Sequence, residues 1–162
     1  MIDSMDDIGG DLMLALGSWR ERAMAQLRPH ELALDWRVLS PQGLPVHPEL
    51  RPWHVIQIVR LLDEALTNAV KHASASRITV TIETLADGTG RGRGCITVAD
   101  DGKGFEVSSD RKEAGKAGRG LHNMRSRAAR CDAVLELDSG AGGTRLRLIL
   151  PHRFPDNDAA AN

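Results

Sequence analysis

The chain has 162 residues and 27% charged residues, with a net charge of −1; this suits one domain and gives no electrostatic case for nucleic acid or a membrane surface. A chain of this length buries roughly 68–70% of its unfolded surface and needs no disulfide or metal staple. Cys95 and Cys131 have no metal-ligand spacing and fit a reducing cytoplasm, the 3% of aromatics argues against base stacking, and no apolar run is long enough to span a bilayer.

Leu12, Leu16, Trp19, Ala23 and Leu27 follow helical spacing after Asp11, and Pro29 ends that helix. Residues 32–39 (LALDWRVL) read as a strand, and PQGLP as a turn. From Pro52 to about Ala73 the period is helical again, with Val55, Val59, Leu62, Leu66 and Ala69 on one face. Residues 77–85 alternate as a strand, 86–94 form a glycine-rich loop, and CITVAD (95–100) is a second strand of that hairpin. Residues 106–119 are polar and read as a loop. LHNMRSRAARC (121–131) is helical, and AVLELDS and TRLRLILP are strands separated by GAGG. The alternation predicts a two-layer α/β sandwich: a mixed, mostly antiparallel sheet with one packed face covered by helices and one wet face. The domain spans 31–152, with a linker helix at 1–30 and a frayed tail at 153–162.

Four constellations could carry chemistry. In DDGKGF, strand parity places Asp100 with Ile96 and Val98, facing the helices, while Asp101 faces the wet side or caps the turn; Gly102 and Gly104 permit close approach. In DEALTNAVKHA, Glu64, Asn68 and Lys71 fall within a stripe of about 60°. An amide oxygen is a suitable hard ligand for Mg²⁺, and a lysine one turn on suits a phosphate. In GRGLHNMRSRA, Gly118 and Gly120 end a basic loop at a helix start, where N–H groups and the dipole favour an anion, and Lys112, Lys116 and Arg119 add charge. In GGT, Thr144 shares parity with Leu146, Leu148 and Leu150, the same side as Asp100. Each alone also fits a plain turn, a solvated helix face or a glycine-preceded helix. Two look-alikes fall away. GTGRGRG opens no helix, and His30-Glu31 leads straight into a strand.

Together, and in this order, EALTNAVKHA, DDGKGF, GRGLHNMRSRA and GGT resemble the nucleotide-binding boxes of the GHKL ATPases, over residues 32–151. The wording is most similar to sensor histidine kinases of the nitrate-sensor and DesK type. The resemblance implies the Bergerat ATPase fold and binding of Mg-ATP. It implies Asn68 as the Mg²⁺ ligand with Glu64 beside it, both catalytic, and Lys71 and His72 near the phosphates. Asp100 would accept from the adenine amino group, with Gly102 and Gly104 making room. Residues 106–119 would be an ATP lid, mobile until nucleotide binds and ending at Lys116, Gly118, Arg119, Gly120 and Leu121. Thr144 would support Asp100 through water.

The family's phosphoacceptor histidine, followed by an acid on a dimerisation helix, has no counterpart here. The resemblance therefore implies a catalytic portion that delivers the γ-phosphate to a histidine on a separate dimerisation domain and, by itself, lacks autophosphorylation. Its implied setting is a cytoplasmic segment, monomeric alone, within a homodimeric and membrane-anchored or soluble kinase that serves a response regulator in a two-component phosphorelay. The alternatives are an anti-sigma factor-type serine kinase and a nucleotide-binding interaction module without transfer activity.

Overall fold

Asp11 accepts a hydrogen bond from Leu14 N (3.2 Å) and so caps the first helix, α1 (Leu12–Leu27). Pro29 then sets a single 3₁₀ turn, Arg28–His30, and Glu31 takes a left-handed conformation (φ 56°) that turns the chain into strand β1 (Ala33–Val38). The computed structural model describes residues 11–72, 74–104 and 115–156. Helix α2 (Pro52–His72) follows, then β2 (Arg77–Leu85), β3 (Arg93–Asp100), α3 (Gly115–Arg130), β4 (Val134–Gly140) and β5 (Gly143–Ile149).

The five strands form one sheet in the order β1-β2-β3-β5-β4. β1 pairs with β2 in parallel, and the other three pairings are antiparallel. Register carries the apolar alternation straight across the sheet. Trp36, Val80, Val98, Leu146 and Leu137 lie in one row, and Val38, Ile82, Ile96, Leu148 and Leu135 in the next. Ile78, Val80, Ile82, Ile96 and Leu148 are fully buried, each worth about 1.5–3 kcal/mol relative to exposure. The helices close over this face. Leu16, Trp19 and Leu27 of α1, Ile58, Leu62 and Leu66 of α2, and Met124 and Ala128 of α3 join the same core. α1, read as a linker, thus contributes to the core of the sheet domain.

Three features differ from the sequence-based expectation. The outer sheet face is polar, but Cys95 and Thr97 are buried on it, where the register sets Arg147 opposite Thr97 and Arg147 pairs with Glu136 at 3.3 Å. Long arginine stems cover such neighbours while keeping the guanidinium near water. The helix expected from Leu121 begins at Gly115 instead. Last, residues 153–156 of the supposed tail belong to the fold. Phe154 is buried against His47 and His54, and its N–H donates to Glu49 Oε1 (3.1 Å). His54 accepts from Arg51 N at Nδ1 (2.8 Å), so Nε2 carries the proton and donates to Pro155 O (2.7 Å). That neutral tautomer satisfies both ring nitrogens.

Candidate functional site

Asp100 ends β3, on the helix side that its parity with Ile96 and Val98 predicts, and is half-buried. Its Oδ1 accepts from Gly102 N (2.9 Å) and, more loosely, from Thr144 N (3.4 Å). The first bond is an Asx turn, so Asp100 itself braces the turn that follows it. Asp101, expected on the wet side or capping that turn, takes the exposed side and leaves the turn to Asp100. It accepts from Ser76 N (2.8 Å), Ser76 Oγ (2.5 Å) and Arg77 N (3.0 Å), fastening the start of β2. A one-residue step on a strand reverses the side chain, and the nearest donors on that side belong to Ser76 and Arg77. Those hydrogen bonds, the Ser76 hydroxyl first, hold the Asp101 carboxyl down at about 2. The two adjacent acids are therefore chemically distinct.

Glycines allow this corner to close. Gly104 has φ +67°, and a Cβ there would run into Gly140 O and crowd Ser139 Oγ. Gly143 has φ +124°, and its Cβ would meet Asp100 O. Gly143 was read only as part of a tight turn; its contact with Asp100 crosses the β3–β5 pairing, which sequence spacing does not reveal. The Thr144 hydroxyl is 2.9 Å from Ser139 Oγ, so Thr144 touches Asp100 through its backbone N–H.

The second group lies where α2 meets α3. Glu64 and Asn68, one turn apart on α2, are half-buried and converge on Gly120. A Cβ on Gly120 would press into Glu64 Oε1 and come within 3.5 Å of Asn68 Nδ2. Gly118 and Gly120 thus sit inside α3 instead of before it, and Arg119 and Leu121 are helical with them. The expected anion site at a helix start beginning at Leu121 is not formed there, because the N–H groups of a helix interior are used by its own carbonyls. Glycine costs about 1 kcal/mol in a helix, and here it lets α3 approach the α2 carboxylate. Of the lid expected at 106–119, residues 106–114 lie outside the described residues and 115–119 are helical. Lys71 is exposed in the last turn of α2; the side chains of His72 and Lys116 lie outside the described residues.

An open pocket of about 210 Å³ adjoins Glu64, lined by Arg60, Asp63, Glu64, Thr67, Asn123 and Arg127. Sequence spacing had not singled out Arg60, Asp63, Asn123 or Arg127. Two ties shape it. Trp19 Nε1 donates to Asp63 Oδ1 (2.8 Å), and Arg127 Nη1 donates to Gln57 Oε1 (2.9 Å). The Glu64–Asn68 pair offers a carboxylate and an amide oxygen, the hard donors that Mg²⁺ takes alongside water and phosphate. Backbone N–H groups fix the Asp100 carboxylate, which can present an acceptor to an exocyclic amine.

Residues 54–153 match the family described as histidine kinase-, DNA gyrase B-, and HSP90-like ATPase. Among curated relatives, a sensor histidine kinase, MctS of Rhizobium johnstonii, is 34% identical over 94 residues, covering 58% of this chain and 19% of its own length. The histidine-protein kinase/phosphatase DegS of Bacillus subtilis is 30% identical over 103 residues, covering 63% of this chain and 25% of its own. The nitrate/nitrite sensor NarQ of Escherichia coli is 36% identical over 93 residues, 57% of this chain and 14% of NarQ. The chain thus spans a quarter or less of these relatives. Among solved structures, the mycobacterial sensor histidine kinase MprB superposes with a TM-score of 0.62 at 15% identity, covering 86% of this chain and 96% of that one; at that identity the likeness concerns the fold.

Proposed function

Because the chain belongs to the histidine kinase-, DNA gyrase B-, and HSP90-like ATPase family, we propose that it is the ATP-binding catalytic domain of a sensor histidine kinase, presenting Mg-ATP to a histidine on a separate dimerisation domain. The relatives named above are sensor histidine kinases, which favours this reading over a serine kinase or a non-catalytic module. The observation that carries it is the convergence of Glu64 and Asn68 on Gly120.

Asp100 reads the adenine amino group, with its Oδ1 already committed to Gly102 N and Thr144 N. Asn68 and Glu64 hold Mg²⁺, which neutralises charge on the phosphates. Lys71, His72, Lys116 and Arg119 supply positive charge around the phosphates, beside the first two turns of α3 that carry Gly118, Gly120 and Leu121. Glu64 also faces the pocket between Arg60 and Arg127, from which an acceptor imidazole can reach it. Phosphoryl transfer asks mainly for positioning and charge stabilisation. The acceptor domain and a downstream response regulator are the partners.

Calorimetric titration with ATP tests the assignment. In Asp100→Asn the amide oxygen stays on the two N–H donors, so Nδ2 takes the place of Oδ2 and meets the adenine amine as a second donor. Loss of a charge-assisted hydrogen bond costs about 1.5–3 kcal/mol, or roughly ten- to hundred-fold in affinity. Asp101→Asn leaves affinity within a few-fold, because Asp101 serves Ser76 and Arg77. Absence of ATP binding by the wild-type chain, or equal losses in both variants, overturns the reading.

A further inference from the structure

The tie between Trp19 and Asp63 joins two helices that are 44 residues apart in sequence, and it does so beside Glu64. Trp19 is completely buried, packed against Trp36 with centroids 6.2 Å apart. Its ring therefore cannot follow Asp63; Asp63 must follow it. Asp63 is on the exposed side of α2 and lines the pocket with Glu64. On the opposite flank, Arg127 of α3 holds Gln57, two turns earlier on α2. α2 is thus held from α1 at the turn that carries Glu64 and from α3 two turns earlier.

We propose that Asp63, gripped by the Trp19 indole, is a positioning residue that sets the Glu64 turn for phosphoryl transfer, and that α1 acts on the reaction through this bond. This rests on the functional reading above. The tie explains why a tryptophan rather than another large apolar residue serves here. A phenylalanine could fill much of the same space, but only the indole N–H reaches a carboxylate from inside the core. It also separates two effects. Asp63 contacts neither Asn68 nor Asp100 through any bond among the described residues, so releasing it leaves binding of ATP without Mg²⁺ intact. A displacement of the Glu64 turn by about 1 Å suffices to slow transfer by up to about 10²-fold.

The test is phosphotransfer from Mg-ATP to a histidine-bearing dimerisation domain supplied separately, with kcat, and by calorimetry the affinity for ATP without Mg²⁺, measured on the full chain. The variants are Trp19→Phe, Asp63→Ala, Asp63→Asn and the double variant Trp19→Phe/Asp63→Ala. Trp19→Phe and Asp63→Ala should each lower kcat about ten-fold while the affinity for ATP without Mg²⁺ stays within two-fold of wild type. Asp63→Asn keeps an acceptor oxygen for the indole and should retain at least half of kcat. The double variant should be no slower than Asp63→Ala. The asparagine variant alters a surface position and guards against misreading a folding defect at Trp19. An unchanged kcat in Trp19→Phe, a parallel loss in Asp63→Asn, or multiplicative losses in the double variant each overturn the tie. A wild-type chain that fails to bind ATP instead overturns the functional reading, and normal ATP binding with kinetically silent variants overturns the tie alone.

Discussion

Replacing Gly120 by alanine separates folding from function. In most helices the change is stabilising by about 0.8–1 kcal/mol, because glycine is the poorer helix former. Gly120 lies in the second turn of α3, and its missing Cβ faces Glu64 Oε1, Glu64 Cδ (3.3 Å) and Asn68 Nδ2 (3.5 Å). The nearest atom is the end of a flexible side chain, so the fold can yield by swinging the carboxylate away. Glu64 then withdraws by about 1 Å, a displacement sufficient for up to about 10²-fold in rate. Gly120→Ala should therefore melt at the wild-type temperature or up to about 2–4 °C higher, bind ATP without Mg²⁺ normally, and transfer phosphate one to two orders of magnitude more slowly in single-turnover assays. Wild-type transfer rates would refute the placement of Glu64 at the reacting centre. A large drop in melting temperature would show that α2 and α3 cannot yield as described.

Gly143→Ala should behave oppositely. Its φ of +124° and the approach of Asp100 O leave no room for a Cβ, so urea unfolding should show a loss of about 1–3 kcal/mol, and an unchanged midpoint would contradict the backbone geometry. Stability should also fall in two acid windows. Burial lowers the pKa of His47 and His54 below 6.5 in the fold, despite Glu49 near both and Asp156 near His54; Arg51, Arg91 and His152 add positive charge around the pair. Stability from their neutral forms is complete above 6.5 and declines as pH falls below it, by up to about 1.4 kcal/mol per pH unit per histidine. Asp101 stabilises the fold above 3.8, and that contribution disappears as pH falls through about 2. Urea midpoints measured against pH, with Asp101→Asn as control, check both; a flat profile from pH 7 to 5 would exclude neutral buried histidines.

The sheet was legible because each strand keeps an apolar period of two on its helix-facing side, and the period assigns Asp100 and Thr144 to the side on which they are found. α2 was legible from its apolar face, and the Glu64–Asn68 stripe followed from helical geometry alone. What escaped depended on contacts across the fold. Glycines at 118 and 120 read as breakers, since their helical cost is visible in sequence whereas the carboxylate that Gly120 accommodates comes from α2. Asp101 read as a turn cap because Ser76 and Arg77, its donors, lie on a neighbouring strand. Trp19 read as core, correctly, but its N–H partner 44 residues away leaves no local trace. Phe154 stands beyond the last strand in a polar, proline-rich segment, and its burial follows from Glu49, His47 and His54, which precede it by about a hundred residues.

The sheet order also bears on how the chain reaches this structure. β2–β3 and β4–β5 are antiparallel neighbours closed by short connections, so their pairing needs little loop entropy. The β3–β5 ladder, from Cys95 opposite Ile149, requires α3 to be in place. β1 joins only at the edge, in parallel, after a crossover that includes all of α2. β1 pairs on one side only, whereas β2, β3 and β5 are paired on both, so the rest of the sheet can form without it and β1 is the late-arriving strand. Weakening its packing at Trp36 should accelerate unfolding and leave the refolding rate nearly unchanged, whereas the same loss at Val98, in the middle of the sheet, should slow refolding.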